Sequence, residues 1–178
     1  GTTLGVVGCG AIGSLFAAHL ATQADVEVWA YDLDQAHVDA INRSGLRLSG
    51  KSTLHSRPKA SSDPAAIPPC EFGIVATKSL HTRPAMAATA AIFRNGAVCS
   101  VQNGVGNEEI IAEYTPRVMR GTTFPAGRII EPGHVQQDTG GKTWIGPFEP
   151  KPASMAEVTA LAALLIGGAA CTTTALGA

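Results

Sequence analysis

Charge is scarce in this chain. Charged residues make up 15% of its 178 residues, the formal net charge is -1, and no run of Lys or Arg occurs. No electrostatic footprint for nucleic acid is present, so no nucleic-acid partner is expected. Long, pure apolar runs are also lacking. The nearest, Val158 to Ala170, is rich in Ala and Gly and reads as a buried helix, so no membrane partner is expected. No signal peptide is legible from Gly1 onward, and a cytoplasmic location is expected. Cys9, Cys70, Cys99 and Cys171 lie far apart without a CxxC pair, which gives no support to a zinc site or a disulfide framework. The histidines at 19, 37, 55, 81 and 134 lack metal-ligand spacing and read as surface or packing residues. Only His81 falls near candidate chemistry.

What is present is an apolar chain, 45% hydrophobic, long enough for one domain with a sizeable core. Its most informative stretch is residues 4–32. An apolar run from Leu4 to Val7 enters Gly8-Cys9-Gly10-Ala11-Ile12-Gly13, a helical pattern follows, and a second apolar run from Val26 to Tyr31 ends at Asp32. This is the GxGxxG pattern in its strand–turn–helix–strand–acid context. Gly8 permits a tight turn, Gly10 lets a pyrophosphate approach the backbone, and Gly13 lets the helix pack close to the strand. Cys9 is small enough for the turn. The free N–H groups and positive dipole end of the helix then face the phosphates. A plain Gly-rich turn is the competing structural reading.

Asp32 lies nineteen residues after Gly13, where a carboxylate accepts bonds from the adenosine ribose and repels a 2′-phosphate. No Arg or Lys occurs between Gly8 and Asn42. NAD is therefore expected over NADP. Asp32 or Asp34 also suits the N-cap of the next helix, and the two roles can be divided between them.

The rest alternates strand and helix. Strands are predicted at 3–8, 26–31, 72–76 and 97–102, with helices at 11–22, 35–44, 79–93 and 107–114. Short strands are expected at 46–48 and 53–55, and a helical turn after Ser62-Asp63-Pro64. Near-continuous apolar strands between helices imply a Rossmann-type, doubly wound parallel sheet in an α/β fold. After Pro116, short segments at 118–123, 126–130, 134–137 and 143–145 read as a small antiparallel extension, with hairpin turns at Pro132-Gly133 and Gly140-Gly141. A helix over 153–166 and a final strand over 171–174 close the pattern.

Ligands of such sheets bind beyond the carboxyl ends of the strands. Two further segments end there: Ala76-Thr77-Lys78-Ser79 and Gln102-Asn103-Gly104-Val105-Gly106. Lys78 offers an ammonium for the nicotinamide region or a substrate carboxylate. Asn103 offers both a donor and an acceptor. A solvated Lys and an Asn-Gly turn are the structural alternatives.

GCGAIG (8–13), ATKS (76–79), VQNGVGNEE (101–109), GTTFPAGRIIEPGHV (121–135) and KTWIG (142–146) stand in the order that resembles the ketopantoate reductase (2-dehydropantoate 2-reductase) family, over essentially the whole chain. The resemblance implies nicotinamide-dependent reduction of a 2-oxo acid small molecule in pantothenate biosynthesis. It implies that Gly8 to Gly13 bind pyrophosphate, and that Thr77, Lys78, Asn103 and Gly104 line the cofactor and substrate cleft. It also implies that Ala126-Gly127 lie on the nicotinamide side. Lys78 is expected to act as a positioning and electrostatic group. NADP-using relatives carry Arg where this chain has Asp32. The family continues into a helical domain that bears the proton donor, whereas residues 1–178 correspond to the cofactor domain. The chain alone is therefore expected to be inactive, and a homodimer through that other domain is one expected association. A non-catalytic dinucleotide-binding or redox-sensing module, and a different hydroxy-acid or opine-type dehydrogenase, are the rival readings.

Overall fold

The computed structural model describes residues 1–170 and 172–177. The chain opens with strand β1 (Thr2–Val7), helix α1 (Ala11–Leu20), β2 (Val26–Tyr31) and α2 (Gln35–Ser44). Three short strands follow: β3 (Leu46–Gly50), β4 (Leu54–Ser56) and β5 (Lys59–Ser61). Then come β6 (Phe72–Val75), α3 (Thr82–Thr89), β7 (Ala97–Ser100), α4 (Asn107–Tyr114) and β8 (Val118–Thr123). The last part holds β9 (Ala126–Glu131), β10 (His134–Thr139), β11 (Lys142–Pro147), α5 (Met155–Gly167) and β12 (Thr172–Ala175).

Among the described residues, eight strands form the main sheet in the order β12-β11-β8-β7-β6-β1-β2-β5. From β5 to β8 every pairing is parallel. The chain moves outward from β1 in one direction to β2 and in the other to β6. The crevice between the carboxyl ends of β1 and β6 is thus the switch point, where such sheets bind ligands.

A second sheet, β4-β3-β10-β9, packs over α1. This accounts for the composition of α1, AIGSLFAAHL, which carries no Asp, Glu, Lys or Arg and is buried from Gly13 to Leu20. A helix that is apolar all round needs cover on more than one face. Here the main sheet supplies one face, and β3, β4, β9, β10 and α5 supply the others.

The doubly wound fold and the small extra sheet are as expected, but the membership of the late strands differs. β8 and β11 pair with each other and complete the main sheet. Only β9 and β10 form the expected hairpin, around Pro132-Gly133. Gly140-Gly141 is not a hairpin turn: β10 and β11 do not pair, and the chain there crosses between sheets. β10 instead pairs in parallel with β3, almost ninety residues earlier, and β3 pairs antiparallel with β4.

β5 is an edge strand that the hydrophobic pattern does not announce, since Lys59-Ala60-Ser61 carries no apolar run. The helix expected over 79–93 is α3 flanked by tighter 3-10 turns at Ser79–His81 and Ala90–Phe93. Pro84 falls in the first turn of α3, where its missing N–H costs nothing. α5 begins at a capping box in which Ser154 and Glu157 bond each other's backbone. Of the expected final strand, Cys171 lies outside the described residues.

His19 and His37 are both buried. His19 Nδ1 bonds the Gly168 carbonyl at 3.1 Å, joining α1 to the end of α5. Burial lowers the pKa of both rings below the ordinary value of 6.5. The unfolded chain then binds more protons than the folded one as the pH falls through 6.5. Unfolding free energy should accordingly decline as the pH falls from 7 to 5. In denaturant titrations at each pH, His19→Gln should flatten that decline.

Candidate dinucleotide site

The first turn follows from three glycines with different physical roles. Gly8 has φ +90°, and a Cβ there would meet Thr77 N at 2.8 Å. It is required both by the turn and by the approach of the β6 end. Gly13 lies so close to the Gly8 carbonyl oxygen that no Cβ fits between them. Gly10, at φ -64°, is the N-cap of α1 and makes no side-chain cap bond. A Cβ at Gly10 would meet nothing within 4 Å. The start of α1, with its unpaired N–H groups, therefore opens onto free space. This suits a phosphate group in close backbone contact.

The two acids divide their roles. The Asp34 side chain caps α2 by accepting from His37 N at 3.3 Å. Asp32 Oδ2 accepts from Cys9 N at 2.6 Å, and Oδ1 accepts from Asp34 N at 2.8 Å. A carboxylate has about four acceptor directions, so capacity remains for a diol. Cys9 itself is buried beneath the turn, and burial pushes its thiol pKa upward. It is a packing residue and not a nucleophile.

Two cavities flank the segment that follows β6. One, of about 400 Å³, is lined by Gly8, Gly10, Asp32, Leu33 and His81 among others. The other, of about 310 Å³, is lined by Ile12, Ser79, Val101, Gln102 and Asn103. Ala76, Thr77 and Lys78 line both. Together they make a groove that runs over the switch point, from the end of β2 to the end of β7. Lys78 and Asn103 are thus brought to one crevice. Both are exposed, and neither side chain has a partner among the described residues.

Of the remaining expected residues, Cys9, Ala11 and Gly13 shape the turn from behind. Gly104, at φ +96°, backs onto Ser79 and lines neither cavity. Gly127 lines neither cavity as well. Pairing with Gln137 carries it into the second sheet, with its Cα packed on the Gln136 backbone.

The structure adds residues that the pattern did not single out. Gln102 is buried and holds the two strand ends together. Its Nε2 lies 3.0 Å from the Thr77 carbonyl and 2.6 Å from Thr82 Oγ1, and its Oε1 accepts from Ser100 Oγ at 3.1 Å. Thr82 Oγ1 donates to Asn107 Oδ1 at 3.0 Å. Asn107 Nδ2 donates to Ser79 Oγ and to the Asn103 carbonyl, at 3.1 and 3.0 Å. The loops that carry Lys78 and Asn103 are therefore fixed by one buried amide network. The only signal for Gln102 and Asn107 is a polar residue at the end of an apolar run, which fits many loops.

Residues 4–150 match the family model of ketopantoate reductase PanE/ApbA. The chain belongs to that family. It is 37% identical over 144 residues to a 2-dehydropantoate 2-reductase of Pyrococcus horikoshii, which covers 80% of this chain and 46% of that protein. It is 32% identical over 175 residues to one of Halobacterium salinarum, covering 96% of this chain and 57% of the relative. A solved PanE/ApbA family ketopantoate reductase from Ralstonia eutropha superposes with a TM-score of 0.83 at 26% identity, over 98% of this chain and 56% of that one. The chain spans about half the length of the curated relatives it matches.

The glycine geometry separates fold from binding. Gly13→Ala forces a methyl into the Gly8 carbonyl and should cost about 3 kcal/mol of stability or more. Gly10→Val points into free space and should cost about 1 kcal/mol or less, as a poorer N-cap. Urea unfolding of the two variants checks this order.

Proposed function

We propose that this chain forms the dinucleotide-binding half of a nicotinamide-dependent reductase. That enzyme converts a 2-oxo acid of the 2-dehydropantoate type to the 2-hydroxy acid. The observation that carries the reading is the continuous groove over the switch point. Gly10, at the open start of α1, and Asp32 line one of its cavities, Asn103 lines the other, and Lys78 stands between them and lines both. Relatives named 2-dehydropantoate 2-reductase supply the substrate class.

In this reading the N–H groups at the start of α1 hold the pyrophosphate. Asp32 accepts from the adenosine ribose hydroxyls. Leu33 and Pro84 offer apolar surface to the adenine. Ile12 and Val101 offer the same to the nicotinamide end, where Asn103 can both donate to and accept from a carboxamide. When bound, the nicotinamide supplies a hydride to the keto carbon. Lys78 places a positive charge at the mouth of that region, suited to the substrate carboxylate and to the charge that grows on the keto oxygen. A proton must also reach that oxygen. We place its donor outside residues 1–178, on the part of the enzyme that corresponds to the uncovered half of the relatives. Val105, an apolar side chain 98% exposed in the loop beside Asn103, suits a surface that such a part would cover.

Two measurements test this reading. In the full-length enzyme assayed on a panel of 2-oxo acids, Lys78→Ala should lower kcat/KM on the order of 100-fold. Asn103→Ala should raise the KM for the dinucleotide. Wild-type kinetics for both variants would remove them from the site. By calorimetry, Gly10→Val should abolish dinucleotide binding by the folded protein, and unchanged affinity would refute the placement of the pyrophosphate.

The cofactor choice follows from Asp32, which we read as selecting NADH. Its two backbone bonds stop the carboxylate from swinging away from a 2′-phosphate. At ~5 Å and an effective dielectric of about 20, each unit pair of like charges costs roughly 3 kcal/mol before screening. NADH should bind roughly tenfold or more tighter than NADPH. Asp32→Ala should shrink that ratio even though it loosens the turn, because a looser turn weakens both dinucleotides alike. Tighter binding of NADPH by the wild type would overturn the preference. It would assign the phosphate to the basic residues of the same cavity, Lys78 and His81.

A further inference from the structure

His37 is a titratable side chain buried directly behind the glycine turn that the functional reading leaves unused. It occupies the first turn of α2, and its own N–H is held by the Asp34 cap. Side chains on a helix lean toward its N-terminus, so the ring reaches back under the β1–α1 turn. Gly133 N, at the tip of the β9–β10 hairpin, donates to His37 Nδ1 at 3.0 Å. A ring nitrogen that accepts an N–H carries no proton, so the neutral ring holds its proton on Nε2. That Nε2 lies 3.0 Å from Ser14 Oγ, and Ser14 Oγ donates to the Cys9 carbonyl at 2.8 Å. The direction of the whole relay is thereby set: hairpin to histidine, histidine to serine, serine to the turn. His37, Ser14 and Cys9 are all buried, whereas Gly10 is exposed. Burial also keeps the pKa of the ring low, against the pull of the Asp32 and Asp34 charges, which favours the neutral form.

The consequence lies in the peptide between Cys9 and Gly10. In a planar trans peptide the N–H points opposite to the C=O. Anchoring the Cys9 carbonyl inward on Ser14 therefore aims the Gly10 N–H outward, into the free space at the start of α1. On the other side of Cys9, its N–H is held by Asp32. We propose that His37 is a positioning residue for the dinucleotide: acting through Ser14, it orients the Cys9–Gly10 peptide so that the Gly10 N–H faces the pyrophosphate. The proposal rests on the dinucleotide reading of the groove and adds to it the residue that sets the donor direction.

Two isosteric variants separate the links, made in the full-length protein. Asn at 37 places an acceptor where Nδ1 stood, keeping the bond from Gly133 and losing the donor to Ser14. Gln at 37 places a donor where Nε2 stood, keeping Ser14 and losing Gly133. Each variant keeps one of two bonds, so both should lose similar thermal stability. Binding should differ. His37→Asn and Ser14→Ala should each raise the Kd for NADH and NADPH about tenfold, the worth of one misdirected hydrogen bond, and the double variant should be no worse than either single one. His37→Gln should stay within about threefold of wild type. In NMR of the glycine-labelled, dinucleotide-free protein, the Gly10 amide resonance should move in His37→Asn and not in His37→Gln. Equal loss of affinity in the Asn and Gln variants, following their stability, makes His37 a plain core residue and overturns the proposal. So does wild-type affinity in His37→Asn. Binding of neither dinucleotide by the wild type overturns the reading of the groove, and the proposal with it.

Discussion

The contact on which the rest of the structure depends is the approach of Gly13 to the Gly8 carbonyl. It draws the first turn of α1 onto the end of β1 without an intervening side chain. α1 thereby lies low enough on the main sheet for a second sheet to close over it, and it is buried from both sides. The same approach leaves Gly10 at the rim, with the start of the helix uncapped. One steric requirement thus serves packing and, on the proposed reading, ligand access together. A methyl group at Gly13 opposes both, whereas one at Gly10 opposes only access.

The groove is built from exposed groups on a rigid base. Lys78 and Asn103 reach solvent from short loops, and such loops are ordinarily the mobile part of a fold. Here the Gln102–Thr82–Asn107 network ties both loops to strand ends and to the starts of α3 and α4. On the opposite side, Asp32 and Ser14 hold the two peptides around Cys9. The loops of the groove are therefore held by bonds within the chain, and on the proposed reading less binding energy is spent on ordering them. The β9–β10 hairpin also meets the residues behind the turn, through the bond from Gly133 to His37.

How much of this was legible in the sequence varies with the distance over which each feature is decided. Residues 4–32 read correctly as strand, turn, helix, strand and acid, because spacing and glycine sterics settle them locally. The bounds of α2 and α4 were legible for the same reason. β5 was not: a three-residue edge strand containing Lys and Ser has no hydrophobic signature. The pairing of β8 with β11, and of β10 with β3, was not legible either, since alternation marks a strand but does not name its neighbour. Pro132-Gly133 and Gly140-Gly141 look alike as turn signals, and only the first closes a hairpin. His37 and Gln102 carried no signal beyond residue type.

The sequence by itself determined that a parallel sheet begins with a glycine turn, that an acid follows the second strand, and that Lys78 and Asn103 stand after the third and fourth long apolar strands. Period, spacing and steric exclusion act within about thirty residues, so these features needed no tertiary partner. Only the tertiary structure decided that β3 pairs with β10 across the chain, that Asp32 clamps the turn while Asp34 caps the helix, and that Gly127 belongs to the second sheet. Each of these depends on which backbone N–H or carbonyl finds which hydrogen-bond partner once the chain is folded. That partner can lie anywhere in the chain, and burial without it is too costly to persist.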